Sequence, residues 1–204
     1  MAGESEKTYW ACGRLLTLTD GIFAIAMTIM ALDLDIPIGL THGELWLAVQ
    51  AVGPKVGLYF LSFFILGRMW LAHHATFHQI ENADRTFAAL TLCTLAFVAR
   101  VPAATNFVND YATDGHAVMI YTTVILATTL LDFASWRYAI QDRHILKENL
   151  APERIRAIDI RNLVFVGMSL LVILLAYLVP EVALYSLGAL LIVSPILVKL
   201  IARA

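Results

Sequence analysis

Long apolar runs, separated by short polar segments, dominate the chain. A helix needs about 20 mostly apolar residues to cross the hydrocarbon core of a bilayer. Six stretches meet or approach that length: residues 15–34, 45–70, 86–108, 116–137, 160–179 and 182–202. They do not alternate apolar and polar positions with period two, and they are too long for the strands of a membrane barrel. The pattern predicts an all-α membrane protein, with six transmembrane helices in one domain over residues 1–204. Gly53-Pro54-Lys55 interrupts the second stretch, and Arg100 and Pro102 lie inside the third. Only Pro180-Glu181 separates the charge-free runs 163–179 and 182–198, which predicts a tight helical hairpin. The longest connection, about residues 137–161, is mixed in charge and reads as helix extensions rather than a domain. The segment before the first run is polar and acidic, and no small-residue cleavage site follows that run, so no signal peptide is expected.

Composition agrees with this reading. Of 204 residues, 60% are hydrophobic and 15% charged, against about 45–50% and about 25% in soluble domains. A net charge of −2 gives no support for nucleic-acid binding. Cys12 and Cys93 offer neither a disulfide framework nor metal-ligand spacing. Charge sorts by loop. With the N-terminus inside, the inner segments hold Lys7, Arg14, Arg85, Arg137, Arg143, Lys147, Arg154, Arg156, Arg161, Lys199 and Arg203. The outer segments hold Asp35, Glu44, Asp110, Asp114 and Glu181, with no Lys or Arg. The positive-inside rule then places both termini in the cytoplasm.

Charges inside spans are expensive and read as paired or functional. Arg14 and Asp20 lie six residues apart, too far for an i,i+4 pair, so each is expected to find partners on other helices. His74 and His78 are spaced i,i+4, but no carboxylate or thiolate completes a metal set, and hydrogen bonds to Asp20 or Arg14 are the preferred reading. Trp70 fits an interfacial aromatic belt. Arg100 is placed to satisfy a carbonyl freed by Pro102. Asp132 has Arg137 or a partner on another helix open to it, and Lys55 can snorkel.

On the first helix Ile25, Ile29 and Leu32 fall at i, i+4 and i+7, with Thr28 beside them. Gly21, Ala24 and Ala31 lie on the other side, where small residues suit close helix packing. Such a stripe is either ordinary core or lipid-facing surface, or the wall of a pore. Around an axis, Ile25, Ile29 and Leu32 would form apolar rings that gate by dewetting, and Thr28 a ring of hydroxyls. Asp33 and Asp35 would give a negative mouth. The chain has no Thr-Val-Gly-Tyr-Gly segment, so a carbonyl filter of that kind is excluded.

The segment Arg14-xxx-Leu18-Thr19-Asp20-Gly-Ile-Phe-Ala-Ile-Ala-Met-Thr resembles the first-helix signature of the endosomal and lysosomal potassium channel family named transmembrane protein 175, in particular its prokaryotic members. Leu18 and Thr19 stand where the family has Phe and Ser. Trp70-Leu-Ala-His73-His74 is similar to the family's Trp-xx-His pattern. The resemblance implies a homotetramer in a prokaryotic cell membrane, with the first helices lining a central potassium pore. It implies Ile25 as the hydrophobic constriction, with Thr28, Ile29 and Leu32 continuing the pore face and Thr28 a candidate for selectivity. It also implies a bracing polar network of Arg14, Thr19, Asp20, Trp70 and His73 or His74. Potassium is the permeant ion, lipid the surroundings, and no cofactor, metal or nucleic acid is implied.

Two rival classes are weighed against the channel. A proton-coupled transporter, or a proton leak, would use Asp20, His73 and Asp132 as a relay; the two halves of the chain show no repeat of the transporter kind. A metal or redox enzyme would use His73, His74 and His78; nucleophile elbows, phosphate loops and metalloprotease motifs are missing from the sequence. No enzymatic activity is expected.

Overall fold

A computed structural model describes residues 10–112, 114–141, 145–147 and 150–201. Lys7, Arg143 and Arg203, assigned above to the inner side, lie outside the described residues, as does the side chain of Glu181. A short strand β1 (Trp10–Ala11) leads into α1 (Cys12–Ile29), which tightens into a 3-10 turn over Met30–Asp33. Then come α2 (His42–Phe77), β2 (Asn82–Ala83), α3 (Arg85–Val98), α4 (Val101–Asp110), α5 (Gly115–Gln141), α6 (Pro152–Leu178) and α7 (Pro180–Ile201). Cys12–Asp33, His42–Phe77, Arg85–Asp110, Gly115–Gln141 and Pro152–Leu178 are each long and apolar enough to cross a membrane. Within α7, Tyr185–Ile201 is a shorter apolar segment. The architecture is thus a mainly helical membrane bundle of six helical rods, five of them long and apolar enough to cross a bilayer, the third built from α3 and α4.

Two details differ from the sequence reading. Gly53-Pro54-Lys55 does not interrupt the second span: α2 runs through Pro54 for 36 residues. At 1.5 Å per residue it is about 54 Å long, well beyond the hydrocarbon core. A membrane helix tolerates the lost N–H at a proline. The third span does break, at Ala99–Arg100, and Pro102 sits in the first turn of α4, where its missing N–H costs nothing. Arg100 is exposed there and, among the described residues, makes no hydrogen bond to a freed carbonyl. The predicted helix extensions are present, as α5 reaches Gln141 and α6 begins at Pro152. The α6–α7 hairpin turns on Val179 alone.

The connections fix which ends lie together. β1 pairs antiparallel with β2, so the start of α1 meets the α2–α3 connection. A bridge between Ile80 and Leu146 ties the α2–α3 and α5–α6 connections. Arg85, Arg137, Lys147 and Arg154 therefore belong to one end of the bundle, and the acidic segments at Asp33–Asp35, Asp110 and Asp114 to the other. At the acidic end the Asp114 carboxylate accepts the His116 backbone N–H at 2.9 Å, which holds that carboxyl below its usual range. Capping α2, the Thr41 backbone N–H and hydroxyl both donate to Glu44.

Gly115 opens α5 against the end of α6. A Cβ added there would press into the Ala176 carbonyl oxygen and approach the Pro180 Cβ to 3.1 Å. Backbone cannot yield as a side chain can, so Gly115→Ala is expected to cost about 1–3 kcal/mol. A lowered midpoint of thermal unfolding in detergent checks this; an unchanged midpoint refutes the close packing.

Burial divides the bundle into three levels. One apolar cluster gathers Phe23, Met30, Ile65, Leu66, Val98, Tyr121 and Val172 with their neighbours. A second, at the basic end, gathers Phe77, Phe87, Trp136, Ile145 and Ile158. Between them, in sequence on every helix involved, lies a buried polar stretch: Thr19 on α1, His73 and Thr76 on α2, Thr91 and Thr94 on α3, Thr128 and Ser135 on α5, and Asn162 on α6. Most of its hydroxyls satisfy themselves by donating to the carbonyl four residues back, as Thr19 does to Leu15, Thr91 to Phe87 and Thr128 to Val124.

Candidate pore face and polar layer

Helix α1 packs through Thr19, Phe23 and Ala26, continued by Met30 in the 3-10 turn. These positions are spaced i, i+4, i+7 and i+11, and they form one stripe. Ile25 (63% exposed), Ile29 and Leu32 (76% exposed) lie away from it and line an open groove whose other wall is Ala99, Pro102, Ala103 and Asn106. Thr28 is exposed beside them. Its hydroxyl donates to the carbonyls of Ala24 at 2.8 Å and Ile25 at 3.2 Å. The proton is thereby directed into the helix, and the oxygen lone pairs remain available on the open side.

Gly21, Ala24 and Ala31 are also exposed, and nothing lies within 4 Å of a Cβ built on Gly21. Within the single chain the packing face is formed by Phe23 and Met30 rather than by these small residues, which flank the open stripe instead of lying opposite it.

The polar layer is built mainly from α2 and α5. The Trp70 indole N–H donates to Asp20 Oδ1 at 2.8 Å, joining α2 to α1. Trp70 packs on His74 with ring centroids 5.4 Å apart. His74 and His78 meet each other, Nε2 to Nε2 at 3.1 Å, and not Asp20 or Arg14. One residue earlier on α2, His73 points elsewhere: its Nδ1 lies 2.5 Å from Asp132 Oδ1 on α5. Its ring packs on Phe77, with centroids 4.6 Å apart. Asp132 therefore takes the partner on another helix rather than Arg137, which meets Asp159 at 3.4 Å. Thr19 turns to its own helix, and Arg14 is exposed with no hydrogen bond or ion pair among the described residues. Of the six residues assigned to the bracing network, Asp20, Trp70 and His74 come together, while His73 joins α5 instead. The three histidines do not converge on one point.

Sequence reasoning passed over Arg68, Thr76, Arg161 and Asn162 as members of this layer. Arg161 Nη2 donates to Thr76 at 3.1 Å, and its Nε and Nη2 reach Asn162 Oδ1 at 3.3 Å. Arg68 donates to the Leu191 carbonyl at 3.3 Å and lies over the Phe165 ring at 5.3 Å. The available signal was an Arg-Asn pair at the start of an otherwise apolar run.

The family described as endosomal/lysosomal potassium channel TMEM175 matches residues 14–102, a range that holds α1 and the polar end of α2. A protein of Streptomyces collinus named a potassium channel is 33% identical over 153 residues, covering 73% of this chain and 74% of the relative. The chain belongs to the TMEM175 family. TMEM175 proteins are ion channels and not enzymes, which agrees with the expectation from the motifs. Human TMEM175, named an endosomal/lysosomal proton channel, is 30% identical over 139 residues; the match covers 62% of this chain but only 28% of the human protein. The crystal structure of a TMEM175 homolog from Chamaesiphon minutus, described as a lysosomal potassium-selective channel, superposes with a TM-score of 0.75. That match is 24% identical and covers 95% of this chain and 98% of the other, so the fold is that of a TMEM175 channel structure.

Proposed function

We propose that this protein is a passive, potassium-selective channel of a prokaryotic cell membrane, assembled as a homotetramer with α1 of each subunit lining the pore. The observation that carries this reading is the open α1 stripe. Ile25, Ile29 and Leu32 are exposed in the single chain, in a family of potassium channels. Acyl chains or a ring of symmetry-related copies can cover such a face, and membership of a potassium-channel family favours the ring. Ile25 then forms the constriction, with Ile29 and Leu32 above it. Asp33 and Asp35 raise the cation concentration at the outer mouth. Trp70, through its bond to Asp20, holds α1 in register. Both termini are placed in the cytoplasm because the basic end of the bundle faces inward.

Purified protein in liposomes is expected to pass potassium along an imposed gradient with no second ion, which distinguishes a channel from a proton-coupled transporter. Thr28 offers lone pairs that replace part of an ion's hydration. In Thr28→Ala, reversal potentials under mixed potassium and sodium are expected to shift toward equal permeability while current persists. An unchanged reversal potential removes Thr28 from selectivity. A proton pathway is the second reading, favoured by the vertebrate relatives named proton channels. Proton flux into the same liposomes, read by a pH-sensitive dye without potassium, tests it.

A further inference from the structure

A cleft of about 350 Å³ lies beside the polar layer, away from the exposed α1 stripe. Its inner wall carries Arg68, His73, Asp132, Arg161 and Asn162, and its lining also includes Lys199 of α7. Three cations thus face one carboxylate, and that carboxylate is already engaged by His73. Two buried polar atoms in the lining have no partner among the described residues: His73 Nε2 and Asn162 Nδ2. Both residues are almost fully buried, at 2% and 4% exposure. The Asn162 orphan is a donor, because its Oδ1 already accepts from Arg161. A guanidinium carries five N–H donors; Arg68 uses one in a bond to the Leu191 carbonyl. The wall is therefore rich in donors and poor in acceptors, the complement of an anion with several oxygens.

The rim decides what kind of anion. Leu71 of α2 and Pro195 and Lys199 of α7 line the cleft and are exposed, so it opens sideways between two membrane helices. Met69, Phe165 and Val198 add apolar surface to the lining. The cleft also lies toward the end of the bundle that carries Arg85, Arg137 and Arg154. A ligand entering from the side at that level meets acyl-chain surroundings first and cations further in. Basic pockets between membrane helices on the cytoplasmic side are suited to anionic headgroups.

We propose that this cleft binds the phosphate headgroup of an anionic phospholipid, with Arg68, Arg161 and Lys199 holding the phosphate, Asn162 donating to it, and an acyl chain lying along Leu71 and Pro195. The site is separate from the ion pathway, so it is tested by binding. Full-length protein in neutral detergent is titrated with phosphatidylglycerol, phosphatidylcholine or inorganic phosphate, and retained lipid is counted by native mass spectrometry while unfolding is followed thermally. Phosphatidylglycerol is expected to bind about tenfold better than phosphatidylcholine. Arg68→Gln and Lys199→Gln are each expected to weaken it about fivefold. Arg154→Gln, an exposed cation at the same end, is expected to leave it unchanged. Lys199 is exposed, so its variant keeps the test valid if Arg68→Gln does not fold. Equal retention of the two lipids overturns the proposal. So does an Arg154→Gln loss as large as that of the cleft variants, or stabilisation by inorganic phosphate without any by phosphatidylglycerol.

Discussion

Ile25→Asn is expected to raise potassium conductance in liposomes or planar bilayers by about tenfold, equivalent to a barrier lower by about 1.4 kcal/mol. A ring of isoleucine side chains at a narrow point excludes water, and an ion crossing it must shed hydration that nothing replaces. An amide at the same position supplies hydrogen-bonding groups and keeps the ring wet. The same substitution separates the two readings of the stripe, because Ile25 is 63% exposed in the single chain and contributes little to its core. If Ile25 faces a pore, asparagine meets water, and stability stays within about 0.5 kcal/mol of the parent. If Ile25 faces lipid, asparagine leaves its polar groups without partners in hydrocarbon, so stability falls while current is unchanged. Single-channel recording and thermal unfolding of the same preparation therefore give opposite patterns. Unchanged current removes Ile25 from the constriction. Ile25→Val is the size control, and it is expected to leave current near the parent value because the ring stays apolar.

The sequence made some levels of this structure legible and hid others, for physical reasons. Membrane-spanning helices must satisfy every backbone group internally, so length and hydropathy locate all six helical rods, five of them long and apolar enough to span a bilayer. The charge-sorted loops already separated a basic end from an acidic one, and the pairing of β1 with β2 and of Ile80 with Leu146 brings the basic connections together. Periodicity told less about faces. It placed Ile25, Ile29 and Leu32 on one stripe, and that stripe is open in the chain. It did not say that Phe23 and Met30, rather than Gly21, Ala24 and Ala31, supply the packing, since an apolar helix offers several stripes of similar hydrophobicity. Partners across helices were least legible. His73 and His74 are adjacent in sequence but about 100° apart around the helix. One reaches Asp132 on α5 while the other stacks beneath Trp70. Arg161 read as an inner-loop cation, whereas α6 starts at Pro152 and carries that guanidinium into the bundle.

The bond between His73 and Asp132 is the second place where a large effect is expected. Asp132→Ala is expected to destabilise the protein by about 2 kcal/mol. Leaving a buried polar group without its partner costs about 1–3 kcal/mol. Measured interhelical hydrogen bonds in a membrane average about 0.6 kcal/mol, with a maximum near 1.7, because a chain loosened within the bilayer finds other partners. Two features put this pair at the upper end. His73 is 2% exposed, so little water reaches its ring to replace the lost carboxylate. Its Nε2 is already unpartnered, so the variant leaves both ring nitrogens orphaned. Removing both groups reverses most of the loss: His73→Leu combined with Asp132→Leu replaces a polar contact by apolar packing between Phe23 and Phe77, which flank the ring at 6.0 and 4.6 Å. A double-mutant cycle over His73→Leu, Asp132→Leu and their combination, read by denaturation in mixed micelles, is therefore expected to show a coupling of about 1–2 kcal/mol, and a coupling near zero would mean the contact does not tie the helices. The cycle has a functional arm as well. Helix α2 holds α5 through His73 and α1 through the Trp70–Asp20 bond three residues away. Loosening the first anchor leaves the second attached to a less fixed helix. Asp132→Ala is thus expected to lower open-channel stability in single-channel records, whereas the double leucine variant, with α2 packed again, restores it.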